Sequence, residues 1–104
     1  STGLYEMAKA AGLALHLDEE AVLWFAPGTA LCAVTGADPW GALASGTLLA
    51  AFPHEGAETA QRTLAKEGYA SAIIARAAFG DGVRFKNGQA LARFVRDEVL
   101  RIIA

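Results

Sequence analysis

The sequence predicts an α+β fold, a sandwich of helices on a sheet with partial ferredoxin-like topology. Three observations predict it. From residue 47 onward the pattern reads strand, helix, strand, strand, helix. Leu13, Leu15 and Leu17 alternate with Ala14, His16 and Asp18, which is strand period. Leu4, Met7, Ala8 and Ala11 recur at helical spacing, with Gly12 placed to stop that helix.

The remaining elements follow in chain order. Ala21 to Phe25 reads as a short extended piece. Pro27 suits the first turn of a helix, and Leu31, Cys32 and Val34 give that helix an apolar side up to Gly36. Asp38-Pro39 marks a break. Thr47 to Phe52 reads as a buried strand ending at Pro53. Glu55 and Glu58 precede Arg62 and Lys66, the charge order that complements a helix dipole, with Ala57, Ala60, Leu64 and Ala65 facing inward and Gly68 as the stop. Ala72 to Phe79 is a strand, Gly80-Asp81-Gly82 a tight turn, and Val83 to Phe85 its hairpin partner. Asn87-Gly88 then turns into a last helix with Leu91, Phe94, Val95, Val99, Ile102 and Ile103 on one side. Arg93, Arg96, Asp97 and Arg101 lie on the other.

The 104 residues make one domain, with no repeat, linker or low-complexity tract. Hydrophobic content of 54% and charged content of 19% give a chain richer in apolar groups than most. From Ala21 to Pro53 the only charged residue is Asp38. A transmembrane helix needs about 18 apolar residues in a row; Pro27-Gly28-Thr29 interrupts this stretch and Thr35-Gly36 ends it, so no membrane is expected. A net charge of −2 without a basic run argues against nucleic acid. A lone cysteine, Cys32, excludes an internal disulfide, and with no secretory signal the expected location is cytoplasmic.

Few residues point to chemistry. There is no P-loop, dinucleotide fingerprint or zinc-type spacing. His16, His54 and Cys32 stand far apart in sequence, so no metal site and no catalytic residue is expected from them. Gly80-Asp81-Gly82 is read as turn chemistry. Ala44-Ser45-Gly46-Thr47 offers backbone N–H groups, two hydroxyls and a glycine at the entry to a strand, where a ligand can approach the backbone. Ordinary strand-start chemistry accounts for the same residues.

Three stretches resemble one family. "LYEMAKAAGLALHLDEEAV" is similar to the segment just after the acidic glycine motif of the aminoimidazole ribonucleotide (AIR) synthetase superfamily. "TGADPWGALASGTLLAAFP" resembles its next block, an Asp-Pro turn followed by a Ser-Gly strand, and this is the most specific part of the likeness. "AETAQRTLAKEGYASAIIARAAFGDGVRF" resembles the helix, strand and hairpin that follow. The superfamily includes selenophosphate synthetase, thiamine-monophosphate kinase and the hydrogenase-maturation dehydratase. Synthetase-related and hydrogenase-maturation-like members look most similar, although "RDEVLRIIA" lacks the cysteine-bearing tail of the latter.

The resemblance implies that residues 1–104 are a C-terminal domain. Family members hold ATP phosphates and magnesium chiefly in an N-terminal domain, and its His-Asp-x-Thr-Glu-Gly-Gly motif does not occur here. No cofactor is therefore expected in this chain. ATP and magnesium are expected only with the N-terminal domain, which would be its partner across a substrate cleft. Ser45, Gly46 and Thr47 are the substrate-binding residues the resemblance implies. Trp24, Phe25 and Trp40 are candidate interface residues, because aromatic enrichment with charge depletion marks a buried interface centre; a place in the core explains them equally well. If such a surface stands open, a homodimer is expected. The other reading is a free-standing, non-catalytic small-molecule-binding or regulatory module. The coding sequence upstream of Ser1 discriminates the two.

Overall fold

The computed structural model describes residues 1–42, 46–95 and 98. Its architecture is α+β: helices with one three-stranded mixed sheet. Helix α1 (Thr2–Ala11) leads into strand β1 (Ala14–Leu17), followed by a 3-10 turn at Glu19–Ala21. Helix α2 (Ala26–Thr35), a second 3-10 turn (Pro39–Gly41) and helix α3 (His54–Lys66) come next, then strands β2 (Ala75–Ala78) and β3 (Val83–Phe85).

Local sequence accounts for the element ends. Gly12 adopts the left-handed conformation (φ 66°) that closes α1, and Leu13 N–H donates to the Ala8 carbonyl at 3.2 Å. Pro27 sits in the first turn of α2, where its missing N–H costs nothing, and Gly36 closes that helix at φ 77°. Glu55 and Lys66 occupy opposite ends of α3 in the order its dipole favours.

The core forms between α1 and the sheet. Leu4 and Ala8 pack on Leu15 and Leu17 of β1, Val83 of β3, and Leu91. Tyr5, Trp40, Leu49, Ile74, Ala75 and Phe85 border this cluster. β1, the most buried strand, takes the centre, and the order is β2-β1-β3.

Several expected elements are corrected. β2 and β3 exist but do not form a hairpin: β1 lies between them, antiparallel to β2 and parallel to β3. The glycine turn steps across the end of β1, with Gly80 at φ 130° and Gly82 at φ 78°. Gly82 C=O accepts from Leu15 N–H at 2.9 Å, so the turn is bonded to the intervening strand.

Thr47 to Phe52 is not a strand, and of these residues only Leu49 reaches the core. β1 already has a partner on each side, which leaves this segment no central place. Helix α3 buries none of its residues; Ala57 and Ala60 are half-buried, whereas Leu64 and Ala65 are exposed. Gly88 through Val95 are not helical, and of the expected last helix only Glu98 is described as helical. Asn87-Gly88 instead makes a hairpin turn, the strongest short-range property of that dipeptide. The chain returns along β3, with Phe85 N–H donating to Gln89 C=O at 2.8 Å and Leu91 N–H to Val83 C=O at 3.0 Å. Val99, Ile102 and Ile103 lie outside the described residues, as do Arg96, Asp97 and Arg101.

Candidate functional site

The segment expected to meet substrate lies on the surface. Gly46 stands in a turn and is exposed, as is Thr47; Ser45 lies outside the described residues. A Cβ built on Gly46 would meet nothing within 4 Å, so the space above its backbone is open. Leu49, against the core, anchors this segment.

The three candidate interface aromatics occupy different environments. Phe25 precedes α2 and is 76% exposed. Trp24 is 41% exposed, and its ring meets Trp40 edge to face. Trp40 is half-buried against the core and stacks edge-on with Phe85 at 5.7 Å. Trp40 therefore joins the core periphery, and Phe25 stands clear of it.

The Asp38–Gly41 turn holds Trp40 in place. Asp38 Oδ1 accepts from Trp40 N–H at 2.9 Å, and the Asp38 N–H donates to Glu98 Oε1 at 2.8 Å. Glu98 is only 7% exposed. The Trp40 carbonyl accepts from the Ser1 nitrogen at 2.7 Å. Asp38-Pro39, read from the sequence as a break, caps the 3-10 turn, with proline in its first turn. Glu98 carried no local signal, because its partner is 60 positions away.

A groove of about 670 Å³ runs between α1 and the Gly80–Gly82 connection, and sequence reasoning missed it. Tyr5, Lys9, Asp81, Arg84 and Arg93 are among its lining residues; Trp24, Phe25, Trp40, Gly46 and Thr47 are not. The Arg93 guanidinium lies 3.8 Å from the Tyr5 ring centroid, a cation–π contact. Tyr5 O–H donates to the Leu91 carbonyl. Arg84 donates to Gly88 C=O at 3.2 Å. These bonds tie the C-terminal return strand to α1 and β3.

Titratable chemistry is sparse. Lys86 bonds Asp18 at 3.0 Å and thereby holds the Asp18 carboxyl below its ordinary pKa. His16 is exposed on β1, His54 begins α3, and Cys32 is a half-buried free thiol on α2. No group of three or more metal-ligating side chains occurs among the described residues. No helix among them is long and apolar enough to cross a membrane. The arrangement offers open backbone and apolar surface, which suit binding.

Comparison with known proteins gives one match. The family model described as AIR synthase related protein, C-terminal domain, matches residues 1–86. No curated protein and no solved structure matches the chain.

Proposed function

This chain belongs to the AIR synthase-related family, and on that premise we propose that it is the substrate-side C-terminal domain of an ATP-dependent enzyme. In this reading it lines a cleft against an N-terminal ATP-binding domain. ATP and magnesium belong to that other domain, and ATP supplies the phosphoryl chemistry. This chain's own part is to bind and orient substrate at Ser45, Gly46 and Thr47, and to present Phe25 and Trp24 to the partner domain.

The observation that carries the reading is the exposure of large apolar side chains in the stretch from Ala21 to Pro53, where Asp38 is the only charged residue. Phe25, Val34 and Leu48 are 76%, 85% and 84% exposed. A contiguous apolar patch marks an interaction surface, and in this reading Phe25, Val34 and Leu48 belong to one. A partner covering Leu48 would also lie near Gly46, two residues before it, where the backbone is free for a ligand's approach.

The test uses the two-domain enzyme. Gly46→Val adds a side chain into open space, so the fold should melt unchanged while turnover is lost. Full turnover in that folded variant removes Gly46 and Thr47 from the site. Isothermal titration of ATP with magnesium into this chain alone should give no binding heat; micromolar binding would overturn the assignment of ATP to the other domain.

A further inference from the structure

The sheet turns one face to α1 and leaves the other open. Leu15 and Leu17 of β1 and Val83 of β3 belong to the core. Side chains alternate along a strand, so His16 points to the opposite face. The register places Arg76 of β2 and Arg84 of β3 directly beside His16, one on each side. All three residues are exposed. The Lys86–Asp18 ion pair, two residues further along from Arg84 and His16, lies on this same face.

The row is bounded on both sides and not neutralised. On one side stands the ion pair, where Lys86 engages the Asp18 carboxylate at 3.0 Å, so that acid is already occupied. On the other the Gly80 backbone passes Ala14, and a Cβ built on the glycine would lie 3.3 Å from the Ala14 Cβ. Residues two apart on a strand are about 7 Å apart, so one row of side chains separates the two borders. Neither His16 nor Arg76 has a side-chain partner among the described residues, and Arg84 spends one donor on the Gly88 carbonyl at 3.2 Å. Two fixed positive charges thus flank one imidazole on a chain whose net charge is −2. Like charges gathered on one sheet face repel, and an anion in the row removes that repulsion.

We propose that the Arg76–His16–Arg84 row is a binding site for a phosphate-type dianion, either free phosphate or a small phosphate monoester. The planar guanidinium fork matches phosphate oxygens bidentately, and the imidazole between the two arginines offers an N–H. Two fixed charges balance a dianion, whereas a lone carboxylate leaves one of them unmatched. Adjacent strands are about 4.8 Å apart, which sets the two arginine backbones about 10 Å apart. That span brackets one phosphate group and is too short for a chain of them. Ala78 and Gly82, next to Arg76 and Arg84 on this face, add little bulk and leave room for the organic part of an ester. A nucleic-acid strand needs aromatic stacking platforms, and no Phe, Tyr or Trp stands in these positions. The site uses none of the residues assigned to the proposed cleft and does not depend on it.

Inorganic phosphate is the first probe, titrated into this chain at constant ionic strength above neutral pH, where it is mostly dianionic. NMR should show saturable shifts of the His16 ring and of the Arg76 and Arg84 amides. Arg76→Gln and Arg84→Gln should each weaken binding roughly fivefold, and Arg62→Gln on α3 should leave it unchanged. Melting of the phosphate-free chain should stay level or rise in Arg76→Gln, since that variant removes a cation from the row. Glycerol phosphate separates the two sources: tighter binding than phosphate identifies an ester as the ligand, and equal or weaker binding identifies the free ion. Shifts that rise without saturation, or saturable binding indifferent to both variants, overturn the proposal. So does a phosphoserine peptide or a short single-stranded DNA that binds through these arginines more tightly than either probe, because the row would then serve a polymer.

Discussion

Trp24 meets Trp40 edge to face, with ring centroids 4.8 Å apart and ring planes at 84°. Trp40 meets Phe85 in a second edge contact at 68°. Three rings thus fasten the charge-poor stretch onto the end of the sheet. Replacing Trp40 with alanine removes both contacts and the burial behind them, and should lower stability by about 2–4 kcal/mol. Trp24→Ala loses one contact from a partly exposed ring and should cost about 1 kcal/mol. Urea unfolding of the two variants measures the difference, and equal losses would contradict this packing.

Gly41 and Gly56 should respond to alanine in opposite directions. A Cβ on Gly41 would stand 2.5 Å from Phe94 Cδ1 and 2.6 Å from Glu98 Cγ, so the neighbours must move. Gly41→Ala should destabilise by about 1–3 kcal/mol. On Gly56, in the first turn of α3, the nearest atom would be Pro53 Cδ at 3.9 Å. Gly56→Ala should stabilise by about 0.4–1 kcal/mol, because it restricts the unfolded chain without strain. Thermal melting reads both signs.

The Asp18–Lys86 pair should make a small, salt-sensitive contribution to acid stability. Lys86 hydrogen-bonds the Asp18 carboxylate and lowers its pKa in the folded state. A carboxyl with a lowered folded pKa binds fewer protons folded than unfolded, so its contribution is present above the ordinary aspartate value of about 3.9. It disappears as pH falls through the lowered folded value. NMR titration of the Asp18 carboxyl should show a midpoint below that of Asp18 in Lys86→Met. Because the pair is exposed, added salt should shrink the difference. Identical midpoints in the two proteins would remove the pair from the account.

Phe25→Asp should act oppositely on the chain alone and on the two-domain enzyme. Phe25 holds the N-cap position of α2 and makes no side-chain capping bond. Aspartate is a favoured cap, and its charge suits the helix N-terminus. Melting of the chain by itself should therefore be unchanged or raised by up to about 1 kcal/mol. In the full enzyme the same charge sits in the proposed domain contact, and calorimetry should show the two domains unfolding less cooperatively. A loss of stability in the chain alone would mean that the ring is packed within it.

The sequence by itself determined the elements whose causes are local. α1 with Gly12, β1 with its alternating leucines, α2 between Pro27 and Gly36, and the body of α3 follow from periodicity and end signals that act within a few residues. The charge-poor stretch and the family resemblance were legible for the same reason, since both are properties of consecutive residues. Tertiary structure decided which strands pair. Nothing local in Gly80-Asp81-Gly82 says that β1 will insert between β2 and β3, because that choice depends on burying Leu15 and Leu17 at the centre of the sheet. Thr47 to Phe52 has the composition of a buried strand, yet β1 had already filled both of its edges and the segment joins none of the three strands, with only Leu49 reaching the core. Asn87-Gly88 carried a hairpin signal that competed with the helical spacing of Leu91, Phe94 and Val95; the bonds of the return strand to Val83 and Phe85 resolved it. The position of Glu98 beside Asp38 and Gly41 was likewise invisible, because contacts across such separations belong to the folded chain and not to any window of it.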